Sequence, residues 1–141
     1  MARLRYEDVQ AGTELEPRQY QVTRRDLVRY AGASGDFNVI HWNERIATSV
    51  GLPDVIAHGM LTMALAGRFL AEWAGDPGAV TEYGVRFSSP VVVPDDDKGA
   101  QVEVTGVVTG KLDDGRVTVD VSARSGEKKV LTRAQATVRL A

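Results

Sequence analysis

A chain of 141 residues with 43% apolar content is long enough for one domain with its own core and too short for two ordinary ones. Its 17 basic and 19 acidic side chains are interspersed and nearly cancel to −2, so no basic field is available to gather a nucleic-acid backbone. The absence of cysteine excludes disulfides, thiolate nucleophiles and thiolate metal sites together, and is compatible with a reducing compartment.

The N-terminus lacks the apolar stretch of a secretory signal, and no uninterrupted apolar run approaches the ~20 residues of a membrane span. The expectation is one soluble, cytoplasmic domain over residues 1–141, with neither nucleic acid nor membrane as a partner. Residues 1–22 are expected to be an irregular lead-in, with Gly12 and Pro17 as breakers, closing on a short extended piece from Gln19 to Val22. Thr23 followed three residues later by Asp26 resembles a capping box with Asp in place of Glu. Leu27, Tyr30, Ala31 and Ser34 then keep helical spacing until Gly35 stops the helix.

Gly35-Asp36-Phe37-Asn38-Val39-Ile40-His41 has no clean period and is expected to be loop, before Asn43 caps a short helix ending at Gly51. From Gly59 to Ala74 nearly every residue is apolar, which predicts a helix buried on all sides that ends at Gly75-Asp76-Pro77-Gly78. Beyond that cluster the period changes to two: Tyr83, Val85, Phe87; Val102, Val104, Val108; Val117, Val119, Val121; Ala134, Ala136, Val138, Leu140. Strands with one buried face follow, and turns at Asp114-Gly115 and Ser125-Gly126 make the last three an antiparallel meander. The fold class is therefore α+β, an antiparallel sheet wrapped around one long central helix.

With two histidines and no cysteine, groups suited to proton transfer are few, and one loop concentrates them. Asp36 and His41 stand five residues apart, which a loop can turn into one pocket. Imidazole exchanges protons near neutral pH, and a neighbouring carboxylate can orient it, share a water with it or exchange a proton itself. On residues alone, Asp36 is equally a cap, Asn38 an Asx turn and His41 a satisfied loop histidine. A metal would need a third ligand, for which His58 and Asp95-Asp96-Asp97 are the candidates; the acidic run is more simply a solvated turn. Ala57-His58-Gly59-Met60 precedes the long helix, whose first N–H groups have no internal partner and suit a developing oxyanion. Glycine at 59 lets a substrate approach the backbone, or simply makes a tight start to the helix.

Tyr30, Ser34-Gly35-Asp36, Asn38, Ile40-His41 and Ala47 resemble the signature of the MaoC-like or R-specific hydratase group of hot-dog proteins. Ala57-His58-Gly59-Met60, Val85-Arg86-Phe87 and Pro90-Val91 are similar to the family's helix start and following strand, so the likeness runs nearly the whole chain in order. At Asp76-Pro77-Gly78-Ala79-Val80-Thr81-Glu82-Tyr83 it is strongest to the catalytic B-type subunit of actinobacterial 3-hydroxyacyl-carrier-protein dehydratase. Val39 stands where the motif usually has proline, and Pro94-Asp95 replaces a common glycine-aspartate.

The resemblance implies a single hot-dog fold. It also implies reversible interconversion of (3R)-3-hydroxyacyl and trans-2-enoyl thioesters of carrier protein or coenzyme A. In that reading Asp36 and His41 are the catalytic pair, Gly59 N–H is the oxyanion donor, and Asn38 and Ser34 hold the loop and position water or substrate. It implies no cofactor and no metal, and a dimer with an identical or a related hot-dog subunit. The competing readings are a hot-dog thioesterase and a non-catalytic acyl-binding subunit. Arg24, Arg25 and Arg29 are either a solvated helix face or a receiver of phosphates or an acidic carrier.

Overall fold

The computed structural model describes residues 2–141; Met1 of the expected lead-in lies outside the described residues. After one 3-10 turn at Tyr6–Asp8, strand β1 runs from Glu14–Val22. It starts earlier than the expected Gln19 and contains Pro17, the expected breaker. The reason is local: pairing with strand β3 (Ala100–Lys111) runs Leu15↔Gly106 and then resumes at Arg18↔Val104, and Pro17 lies in that register shift. A bulge on an edge strand needs no N–H from the bulged residue, so proline costs no ladder bond there.

Helix α1, Arg24–Ser34, has the expected capping box, with Asp26 N–H donating to Thr23 Oγ1 and Thr23 N–H donating to the Asp26 carboxylate at 2.8 Å. Gly35, at φ 78°, closes it in the left-handed region that glycine enters without a Cβ penalty. A 3-10 turn over Val39–His41 leads to α2, Glu44–Ser49, where Asn43 Oδ1 accepts from Ile46 N–H.

Helix α3 spans Gly59–Ala74. The sequence predicts burial all round, but the structure buries one face: Thr62, Ala66, Phe69, Leu70 and Ala74. Met60 on the other side is 57% exposed. A single sheet layer covers only one side of a helix, so apolar residues on the far side stay uncovered within one chain. Burying Phe69 and Leu70 contributes about 1.5–3 kcal/mol each. No helix among the described residues is long and apolar enough to cross a membrane.

Strands β2 (Val80–Phe87), β4 (Arg116–Ser125) and β5 (Lys128–Arg139) complete one antiparallel sheet in the order β1-β3-β4-β5-β2. The β3-β4-β5 meander follows the expected alternation, with Val102, Val104, Val108, Val117, Val119 and Val138 buried against α3 and the lead-in. Its turns fall at Asp114-Gly115 and at Gly126, all with positive φ. The expected buried face of β2 is incomplete: Tyr83 and Val85 are half-buried and Phe87 is 51% exposed. β2 is an edge strand, and its far end, still paired with β5 at Phe87↔Leu131, lies beside the start of α3, where a Cβ on Gly59 would lie 3.2 Å from the Phe87 ring.

Candidate active site

The loop after α1 is built from short side-chain-to-backbone turns. Ser34 Oγ accepts from Asp36 N–H at 3.2 Å, Asp36 Oδ1 from Asn38 N–H at 3.1 Å, and Asn38 Oδ1 from Ile40 N–H at 3.2 Å. Ser, Asp and Asn side chains bond the backbone two residues on in this way, so the loop's shape follows from its sequence. Ser34 and Asn38 are exposed and hold the loop. The chain then turns His41 inward, to 7% exposure.

His41 Nδ1–H donates to the Ile56 carbonyl at 2.7 Å. A carbonyl only accepts, so the proton of the neutral ring sits on Nδ1 and the Nε2 lone pair is free. Nε2 faces Asp36 Oδ2 at 4.0 Å, too far for a direct hydrogen bond, and half of the Asp36 side chain remains in solvent. The strut that carries Ile56 is itself tied at both sides. Ile56 N–H donates to the Ile40 carbonyl, Ala57 N–H to Val91, and Val93 N–H to Val55.

One residue of the site stands in the sequence reading only as a candidate third metal ligand. His58, at the N-cap of α3, is 1% exposed and stacks on His41 with ring centroids 3.9 Å apart and planes 23° from parallel. Its Nε2 bonds the Asp36 carbonyl at 3.1 Å, and Tyr30 packs against it at 4.8 Å. The available signal was compositional: it is the chain's other histidine, directly before the glycine already singled out.

Asp36, His41 and His58 thus form the three-ligand group foreseen as a possibility, their ligand atoms within 4.8 Å of one another; Asp95-Asp96-Asp97 does not join them. The acidic run is a turn in which Asp96 Oδ1 accepts from Lys98 and Gly99 N–H. The donor set suits a metal poorly. Imidazole lone pairs lie in the ring plane, and two nearly parallel stacked rings cannot converge on one ion at the ~2.0–2.1 Å that coordination requires.

Burial pushes the His58 pKa below the ordinary histidine value, against a raising contribution from the Asp36 carbonyl. Above about pH 6.5 the ring is neutral in both folded and unfolded chains; below it the unfolded chain takes up a proton that the folded chain refuses. Stability is therefore expected to fall as pH drops below about 6.5 and to level off below the folded-state value. In melting curves over that range, His58→Gln should show a smaller fall than wild type. Equal falls would mean that His58 titrates normally in the fold.

Gly59 and Met60 precede the first bonds of α3, in which Leu61 and Thr62 N–H donate to the His58 carbonyl. Gly59 lies on a pocket of about 230 Å³ with His41, Thr62, Phe87 and Val91. Two wider depressions along the sheet, both including Asp120, Arg133 and Gln135, contain none of these groups. Arg24 does not belong to an open basic face. Its guanidinium donates to Asp54 and to the Val93 carbonyl, each at 2.6 Å, clasping α1 to the strut; Arg25 and Arg29 stay exposed.

The profile of the family described as "MaoC like domain" matches residues 8–127. "3-hydroxyacyl-thioester dehydratase X" of Mycobacterium tuberculosis is 42% identical over 79 residues, covering 52% of this chain and 25% of that protein. "(R)-specific enoyl-CoA hydratase" of Rhodospirillum rubrum is 32% identical over 107 residues, covering 75% of this chain and 73% of the relative. A solved structure described as "MaoC-like dehydratase" superposes with a TM-score of 0.93 at 45% identity, over 99% of this chain and 43% of that one. The chain thus spans about a quarter of the mycobacterial relative and less than half of that solved chain.

Proposed function

The chain belongs to the MaoC-like domain family, and on that footing we propose that it hydrates trans-2-enoyl thioesters to (3R)-3-hydroxyacyl thioesters and catalyses the reverse dehydration. The observation that carries the proposal is the facing pair, a free His41 Nε2 lone pair 4.0 Å from Asp36 Oδ2. Two acceptors at that distance suit one water that donates to both. With bonds of about 2.8 Å the two hydrogens would diverge by roughly 90°, close to what water supplies.

In hydration, the water oxygen adds to C3 while one member of the pair takes its proton, and the pair thus protonated returns a proton to C2. Charge that gathers on the thioester oxygen is met by the Gly59 N–H at the positive end of α3. Dehydration runs the same steps backwards. They require proton exchange and positioning, and neither an organic cofactor nor a metal. The R configuration is supported by the Rhodospirillum relative named above, of which the chain covers 73%.

Residues 1–141 act in this proposal as one MaoC-like unit, in the cytoplasm, on the thioester of a carrier protein or coenzyme A. Exposed Arg25 and Arg29 offer positive charge to the phosphates of either. A dimer is the minimum assembly, because the uncovered side of α3 and the edge strands β1 and β2 are surfaces that a second hot-dog subunit, identical or related, would cover.

Incubation with crotonyl-coenzyme A tests the activity, with light scattering on the same sample. Expected are loss of enoyl absorbance, (3R)-3-hydroxybutyryl-coenzyme A as product, and a mass of at least two chains. Free thiol would replace the proposal with a thioesterase. No reaction on any acyl thioester would replace it with a binding subunit, and a fully active monomer would remove the dimer.

A further inference from the structure

We propose that His58 is a positioning residue for the dyad, holding Asp36 by its backbone carbonyl and His41 by its ring face, so that the proton-transfer pair and the Gly59 N–H stay in register. The inference rests on the hydratase reading and adds a role for the buried titratable group that the mechanism above does not use.

The bonding pattern defines the state of the ring. The Asp36 carbonyl accepts from Nε2–H at 3.1 Å, which leaves Nδ1 a bare lone pair in the neutral ring. That atom is buried without a hydrogen-bond partner among the described residues. Burying an unsatisfied lone pair costs free energy that a phenylalanine or leucine in the same space would avoid. A nitrogen is useful here for the bond to Asp36, which joins the start of α3 to a loop residue 22 positions earlier.

The groups facing His58 are Asp36 on the loop, His41 on the 3-10 turn and Tyr30 on α1. Together they close the ring from solvent, and desolvation keeps it neutral. The neutrality matters to its neighbour. When His41 takes a proton, the imidazolium lies over an uncharged aromatic face, a favourable arrangement; a second cation 3.9 Å away would oppose the proton. His58 does not reach the substrate in this arrangement. It sets where two of the three acting groups sit, and the next residue in the chain is the third.

The test uses His58→Gln, which keeps a donor where Nε2 stood, and His58→Phe, which keeps a ring to stack. Turnover and KM are measured on crotonyl-coenzyme A below the melting range of each variant, and imidazole ¹⁵N spectra are recorded at about pH 8, above the ordinary histidine value. In wild type, His58 is expected to be the neutral Nε2–H tautomer at that pH. His58→Phe should lose at least ~10-fold in kcat, as misplaced reacting groups do, with KM within about 3-fold, and His58→Gln should lose less. Both should move the His41 signals. An unchanged kcat in folded His58→Phe, a loss explained wholly by the unfolded fraction, or a protonated or Nδ1–H His58 in wild type would overturn the proposal. Should wild type itself be inactive, the hydratase reading falls and the spectra decide this one alone: His41 signals unmoved in both variants overturn it, and moved signals support it.

Discussion

Asp36→Asn and His41→Asn are each expected to lower turnover by at least ~10²-fold, the low end of what a positioned acid or base contributes, while the protein stays folded. Both substitutions are chosen from the bonds already made. Asn at 36 keeps an oxygen for the Asn38 N–H, and the side chain is 53% exposed, so the loop loses only its charge. Asn at 41 can still donate to the Ile56 carbonyl, which His41→Ala would leave unsatisfied at a cost of about 1–3 kcal/mol. What His41→Asn removes is the Nε2 lone pair facing Asp36. Circular dichroism checks the fold and initial rates check turnover; a folded variant at the wild-type rate removes that residue from the dyad.

The second large effect is expected at Gly59, where two substitutions separate the N–H from the space around it. Alanine and proline both add a Cβ, which would meet the Phe87 ring at 3.2 Å, so either variant must displace that exposed side chain. Only proline also removes the N–H. The backbone accepts it: position 59 is the first residue of α3, where proline is well tolerated, and His58 at φ −58°, ψ 131° already has the extended conformation that a residue before proline prefers. Gly59→Pro is expected to lose ~10²–10³-fold in kcat relative to Gly59→Ala, the usual cost of one oxyanion donor, with melting temperatures alike. Equal rates for the two variants would show that this N–H does not face the thioester oxygen.

Features that depend on a few neighbouring residues were legible in the sequence. The capping box at Thr23 and Asp26, the left-handed stops at Gly35 and Gly75, and the β3-β4-β5 meander with its turns are all local signals, and the structure has each of them. Pro17 misled because its tolerance in β1 depends on a bulge set by the partner strand. The buried helix was overstated because composition reports apolar character without reporting which side another layer covers. At the site, the closeness of Asp36 and His41 could be guessed from five intervening steps of one loop. His58 could be guessed only as a candidate third ligand, and its stacking on His41 was not legible, since that depends on a contact across 22 residues and on the strut through Ile56.

Strand β2 follows α3 directly, yet among the described residues it pairs with β5 alone, with pairs running from Val80↔Val138 to Phe87↔Leu131. The meander can close through short turns, whereas β2 must wait for a loop of more than forty residues, and such non-local closures are the slow ones. The pocket takes one wall from Phe87 at the end of β2 and another from Val130 in β5. A refolding chain is therefore expected to regain the β3-β4-β5 meander before it has a place for a substrate, and recovery of activity requires the later docking of β2 rather than only the collapse that precedes it.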